Sequence, residues 1–111
     1  MSELDNILAR LIQRTTERKL KWSRAANPNQ FVTSVDAISV VIHEIPGFDY
    51  GVPPSYRLEI LNEDGETVEI LGDMDATDEQ YQQLERLHTT ARRSTLRYEE
   101  TLEKLARALD V

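Results

Sequence analysis

His43 and His88 are the only imidazoles in this 111-residue chain, and it has no cysteine. Disulfides, thiol nucleophiles, cysteine-ligated zinc and iron–sulfur clusters are therefore excluded by composition. Neither histidine has a carboxylate at a recognised ligand spacing, so no metal and no cofactor is expected. The run Asp73-Met74-Asp75-Ala76-Thr77-Asp78 starts like a calcium loop. Its sixth position is Asp78 instead of glycine and its twelfth is Leu84 instead of glutamate, so the sharp turn and the bidentate ligand are both missing. An acidic helix start explains the run better. Serines and threonines are present, but none lies in a nucleophile-elbow context, and four scattered glycines make no phosphate loop. No catalytic residue is expected.

The remaining candidates are binding groups. Arg86, Thr90, Arg93 and Arg97 recur at i, i+4, i+7 and i+11, one stripe of a helix, where they either meet an anion or acidic partner or form an ordinary solvated face. The segment 46–55, Pro46-Gly47-Phe48-Asp49-Tyr50-Gly51-Val52-Pro53-Pro54-Ser55, is long for a connection between adjacent strands. Its rings, Phe48 and Tyr50, either fold back on the end of the core or stand out as anchors for a partner. Tyr98, Leu102, Leu105 and Leu109 are expected to contact another helix, in this chain or in a second copy.

The elements that position these groups follow from periodicity. Leu4, Ile7, Leu8, Leu11 and Ile12 mark an amphipathic helix over 3–18, with Ser2 as a cap. Strands are expected at about 19–23, 31–35, 38–45, 56–62 and 67–71, with Val68 and Ile70 facing inward in the last. Asp36-Ala37 makes a tight connection and Gly65 supplies a positive φ to a second hairpin. Alternating polar and apolar residues imply an antiparallel sheet wet on one face, with His43 on that face. Trp22 shares a face with Leu20 and is expected in the core.

A helix is then expected over 78–109, opened by a Thr77/Gln80 capping box and carrying the stripe Tyr81, Leu84, His88, Ala91, Thr95, Tyr98, Leu102, Leu105, Leu109. At 1.5 Å per residue it would be about 48 Å long, against about 23 Å for a seven-residue strand. Its far end needs cover. The N-terminal helix could supply it, a second copy could, or a break in the polar stretch His88–Arg97 could give two shorter helices. The fold class is α+β: an N-terminal helix, a four- to five-stranded antiparallel sheet and a long C-terminal helix, in one domain.

Three segments of this layout carry a resemblance: Thr16-Glu17-Arg18-Lys19-Leu20-Lys21-Trp22, the hairpin Tyr56-Arg57-Leu58-Glu59-Ile60-Leu61-Asn62-Glu63-Asp64-Gly65, and the terminal Leu/Ala/Arg-rich helix. Together the layout resembles small stand-alone bacterial proteins of about this length whose function is not established. The resemblance implies a bacterial origin and a helix–sheet–helix plan, and it carries over no catalytic residue.

The formal net charge of −7 disfavours nonspecific nucleic-acid binding. The charge is segmented: residues 58–85 hold ten acidic side chains and no Lys or Arg, while residues 10–24 hold six basic ones against Glu17 alone. No apolar run approaches the roughly 20 residues of a membrane span, and the acidic N-terminus lacks a basic signal region. These readings point to a cytoplasmic, non-catalytic interaction or regulatory module. It would be a homodimer or bind a protein partner. The alternative is a dedicated single-partner binder such as a secretion chaperone or immunity protein, and a small enzyme is third.

Overall fold

The computed structural model describes residues 3–72 and 75–111. Ser2, expected as a helix cap, and the Asp73-Met74 start of the calcium-like run lie outside them. The order is α1 (Glu3–Thr16), β1 (Ser23–Arg24), β2 (Gln30–Val35), β3 (Ile38–Ile45), β4 (Ser55–Leu61), β5 (Thr67–Leu71), α2 (Asp78–Thr95) and α3 (Tyr98–Ala108). The five strands form one antiparallel sheet in the order β1-β2-β3-β4-β5. The class is α+β, as the patterning predicts.

Helix α1 forms because its leucines recur at helical spacing, and Leu8 and Leu11 are buried by it. Its end is a Schellman turn. The Lys19 amide donates to the Arg14 carbonyl at 2.8 Å, the Arg18 amide to Thr15 at 3.0 Å, and Arg18 sits in the left-handed region at φ 63°. Helix α2 opens with the expected capping box between Thr77 and Gln80. Gln80 also donates through Nε2 to Asp5 at 2.7 Å, which pins the start of α2 to the start of α1. The two helices therefore run side by side in the same direction over one sheet face.

The core lies between them and the sheet: Leu8, Leu11, Trp22, Phe31, Val40, Ile42, Tyr56, Leu58, Leu71, Leu84, Leu87 and Ala91. Leu87, absent from the stripe read in the sequence, is fully buried. Trp22 is in the core as expected. Its indole Nε1 donates to Thr15 Oγ1 at 2.9 Å, and that hydroxyl donates to the Leu11 carbonyl at 2.7 Å. His88 is buried between Phe31 and Tyr56 and donates through Nε2 to the Asn29 carbonyl at 3.1 Å.

Three expectations are corrected. The first strand contracts to Ser23–Arg24; the segment before it is held by Thr33 Oγ1 donating to the Lys21 carbonyl at 2.7 Å. In β5, Val68 and Ile70 face outward and Leu71 is the buried residue. A register shift between Ile60 and Leu61 is the cause. It pairs Leu58 with Leu71 and Glu59 with Ile70, and one residue of slip exchanges the faces of a strand.

The third correction concerns the C-terminal helix, which is not continuous over 78–109. Arg97 adopts a left-handed backbone at φ 54°, ψ 48°, ending α2 at Thr95 and starting α3 at Tyr98. No glycine or proline causes this. Thr90 and Thr95 hydroxyls donate back to the Arg86 and Ala91 carbonyls at 2.7 and 2.9 Å, a pattern that bends helices. The Arg93 guanidinium then lies over the Tyr98 ring, 4.8 Å from its centroid, across the bend. Eighteen residues make α2 about 27 Å long, close to the reach of the sheet. Cover by α1 ends there too: α1 lies along α2, and α3 meets the rest of the chain chiefly where it joins α2.

Candidate functional site

Three surfaces carry the side chains singled out by type and spacing. The first is the tip of the loop between β3 and β4. Phe48 and Tyr50 are fully exposed, so neither plugs the core. The loop closes on itself below them. The Val52 amide donates to Asp49 at 3.1 Å, Gly51 takes φ 90°, and a Cβ at Gly47 would run into the Val52 carbonyl oxygen. Its exit is tied to α2 by the Tyr81 hydroxyl donating to the Pro54 carbonyl at 2.6 Å. Two rings are thus held in water on a folded support.

The second surface is the outer face of α3. Tyr98, Leu102, Leu105 and Leu109 line one face at helical spacing and are 44%, 47%, 53% and 63% exposed. The apolar stripe that buries Leu84, His88 and Ala91 in α2 continues past the bend into solvent. The radius of gyration, 15.2 Å, exceeds the roughly 13 Å of a compact chain of this length, which accords with an α3 that extends from the body.

A third surface is a cleft of about 570 Å³ at the C-terminal ends of α1 and α2. Arg18, Lys21, Arg93 and Arg97 line it, together with Glu100 and the hydroxyls of Thr16, Thr90 and Ser94. Four cations against one carboxylate give it a positive character in a chain of net charge −7. The Arg97–Glu100 contact, 3.9 Å and largely exposed, offsets little of that. Of the arginine stripe read in the sequence, Thr90, Arg93 and Arg97 meet here, and Arg86 lies exposed elsewhere on α2. Because the helix breaks, Arg97 joins the others across a turn instead of along a helix. Sequence reading missed the partners from α1 and its exit, Arg18, Lys21 and Thr16. The signal was the run of six basic side chains over 10–24, which nothing in the sequence joined to residues 90–97.

The histidines do not form a pair. His88 faces the helices and His43 lies on the open side of the sheet, opposite Arg57 in register. Burial, and then the neighbouring Arg57 charge, push the His43 ring below its ordinary pKa. On the same face Arg57 Nε lies 3.3 Å from Glu59 Oε1. Val32, Val41 and Leu61 share this face half-buried, and Val68 and Ile70 share it exposed. On the core side, burial and a hydrogen bond to Glu44 at 3.1 Å raise the Tyr56 phenol far above its ordinary pKa, so it is a neutral donor.

No protein-family model, no curated protein and no solved structure matches this chain. Among the described residues, no helix is long and apolar enough to cross a membrane.

Proposed function

We propose that this protein is a non-catalytic protein-interaction module that self-associates through its C-terminal helix. The observation that carries the reading is the apolar face of α3, left half-exposed along its whole length by the rest of the chain. A helix of 11 residues is below the roughly 12–15 at which isolated helices persist in water. Its stability comes from packing of an apolar face, and α2 supplies only part of that packing. The same reading puts the module in the cytoplasm, where a chain without cysteine suits the reducing conditions.

Size-exclusion chromatography with light scattering tests it. The expected result is a dimer mass at tens of micromolar and above, and a monomer for the double variant Leu102→Glu/Leu105→Glu with its thermal transition retained. A monomer mass for the unaltered chain up to millimolar concentration overturns the reading.

A second reading, a dedicated binder of one protein, is favoured by the exposed Phe48 and Tyr50. Aromatic side chains of this kind anchor protein interfaces, and the cationic cleft suits a partner with an acidic segment. Retention of one protein by the unaltered chain, and its loss with Phe48→Ala/Tyr50→Ala, is the result expected there. Equal retention by both chains removes the loop from that reading.

A further inference from the structure

The cleft of about 570 Å³ at the ends of α1 and α2 draws its cations from four segments. Arg18 comes from the exit of α1, Lys21 from the stretch before β1, Arg93 from the last turn of α2 and Arg97 from the bend. The volume lies within the range of small-molecule sites, about 300–1,000 Å³. Its positive character is regional. Residues 14–24 and 90–100 together hold eight basic and three acidic side chains, while the rest of the chain holds five and seventeen. One end of an acidic protein is therefore cationic, and a cleft with low-dielectric walls concentrates that potential.

The negative groups at this end do not cancel it. Glu100 lines the cleft and meets Arg97 at 3.9 Å, with both side chains largely exposed. Glu17 lies outside the lining, 3.5 Å from Lys19. Among the described residues Lys21 and Arg93 make no ion pair. Arg93 stacks on the Tyr98 ring, which leaves its charge intact. Arg18 adds charge while engaged in a contact of its own. Helix C-termini carry partial negative charge, but their carbonyls are occupied here. Arg14 and Thr15 accept from the Lys19 and Arg18 amides, and Arg92 and Ser94 from the Leu96 and Arg97 amides. The Thr16 and Thr90 hydroxyls give their protons to the Ile12 and Arg86 carbonyls. A ligand in the cleft therefore meets ammonium and guanidinium donors first.

We propose that this cleft binds a small phosphate-bearing ligand, with Lys21, Arg93 and Arg97 as the cations that hold it. These donors stand on different segments and so reach the cleft from different directions. A phosphate group presents three strong acceptor oxygens around a tetrahedral centre and can meet several such donors at once. A carboxylate presents two oxygens in one plane and suits a single fork. Leu20 and Tyr98 add apolar wall for the body that carries the phosphate. Such a site is independent of self-association, and its occupant differs from the acidic protein segment of the second reading.

Trp22 lines the cleft and is the only tryptophan, so its indole N–H is a single reporter in a nitrogen–proton spectrum. Inorganic phosphate and pyrophosphate are titrated into the full chain at constant ionic strength. The expected result is a saturable shift of the Trp22 indole and of the Lys21 and Arg97 amides, with pyrophosphate the tighter ligand. Lys21→Gln/Arg93→Gln is expected to raise the pyrophosphate Kd about tenfold or more, the scale of charge-assisted contacts. Arg86→Gln/Arg92→Gln removes the same charge outside the lining and is expected to change it by less than about twofold, since exposed charges are screened. Lys21→Gln alone leaves the Arg93–Tyr98 stack in place, and weaker binding there separates lost ligation from a disturbed bend. Absence of saturation up to about 10 mM pyrophosphate, a Kd too weak for a built site, overturns the proposal. Equal weakening by both double variants means diffuse attraction to the cationic end and overturns it as well. Tighter binding of a glutamate-rich peptide or an oligonucleotide than of pyrophosphate overturns the assignment to a small ligand.

Discussion

Replacing Thr15 with valine probes the joint between α1 and the strand that follows it. The Thr15 hydroxyl accepts from Trp22 Nε1 at 2.9 Å and donates to Leu11 at 2.7 Å, with both side chains at or below 5% exposure. Valine keeps the branched shape and the helix propensity. It leaves the indole N–H buried with no acceptor, a penalty of about 1–3 kcal/mol. The added methyl returns about 0.8 kcal/mol, so the net loss is about 0.2–2 kcal/mol. Unfolding entropy near 2.1 cal/mol/K per residue gives about 0.23 kcal/mol/K for this chain, and a drop in Tm of about 1–9 °C. Trp22 is the only tryptophan, so its indole N–H gives one resonance in a nitrogen–proton spectrum. That proton is expected to exchange slowly in the unaltered protein and in Thr15→Ser, and faster in Thr15→Val. Unchanged exchange and a Tm within about 1 °C in Thr15→Val would show that the indole does not depend on this hydroxyl.

Two further changes test other parts of the structure. Asp36 and Ala37 both hold positive φ, 49° and 69°, in the two-residue turn between β2 and β3. Glycine at 37 removes a left-handed penalty of about 1–2 kcal/mol and adds about 0.5–1 kcal/mol of unfolded-chain entropy. Ala37→Gly is therefore expected to raise Tm by about 2–4 °C, and a lower Tm would contradict the turn geometry. For His43, whose folded pKa is lowered chiefly by burial, the unfolded chain takes up a proton that the fold resists. Its contribution to stability is full above the unfolded value near 6.5 and is lost as pH falls from there through the folded value. Urea titrations at several pH values should show a shallower decline below pH 6.5 for His43→Gln than for the unaltered chain. Parallel curves would mean that the ring titrates alike in both states.

Much of the fold was legible because most elements follow a single period. The leucines of α1 and the alternation in β3 and β4 lead directly to the helix, the strands and the buried Leu8, Ile42 and Leu58. The outward turn of Val68 and Ile70 was not legible, since it depends on where β4 and β5 slip past each other and both registers suit the same composition. The break at Arg97 was not legible as a position: left-handed backbone usually falls on glycine, and here threonine back-bonding and an arginine stacked on a tyrosine stand in for it. The candidate surfaces divide the same way. The leucine stripe of α3 was readable as a pattern, whereas the cationic cleft unites residues 16–21 with residues 90–100 and exists only once α1 and α2 lie side by side.

The sheet order has a kinetic consequence. Every hydrogen-bonded strand pair joins neighbours in the chain, and the turn between β2 and β3 spans two residues. Closing short loops costs little entropy, so the five strands can zip together progressively from either hairpin. Docking of α1 against α2, pinned by Asp5 and Gln80 75 positions apart, is the step that must wait for the platform. A nascent chain would expose the inner sheet surface until its last third is synthesised. The C-terminal portion therefore acts as the closing latch of folding.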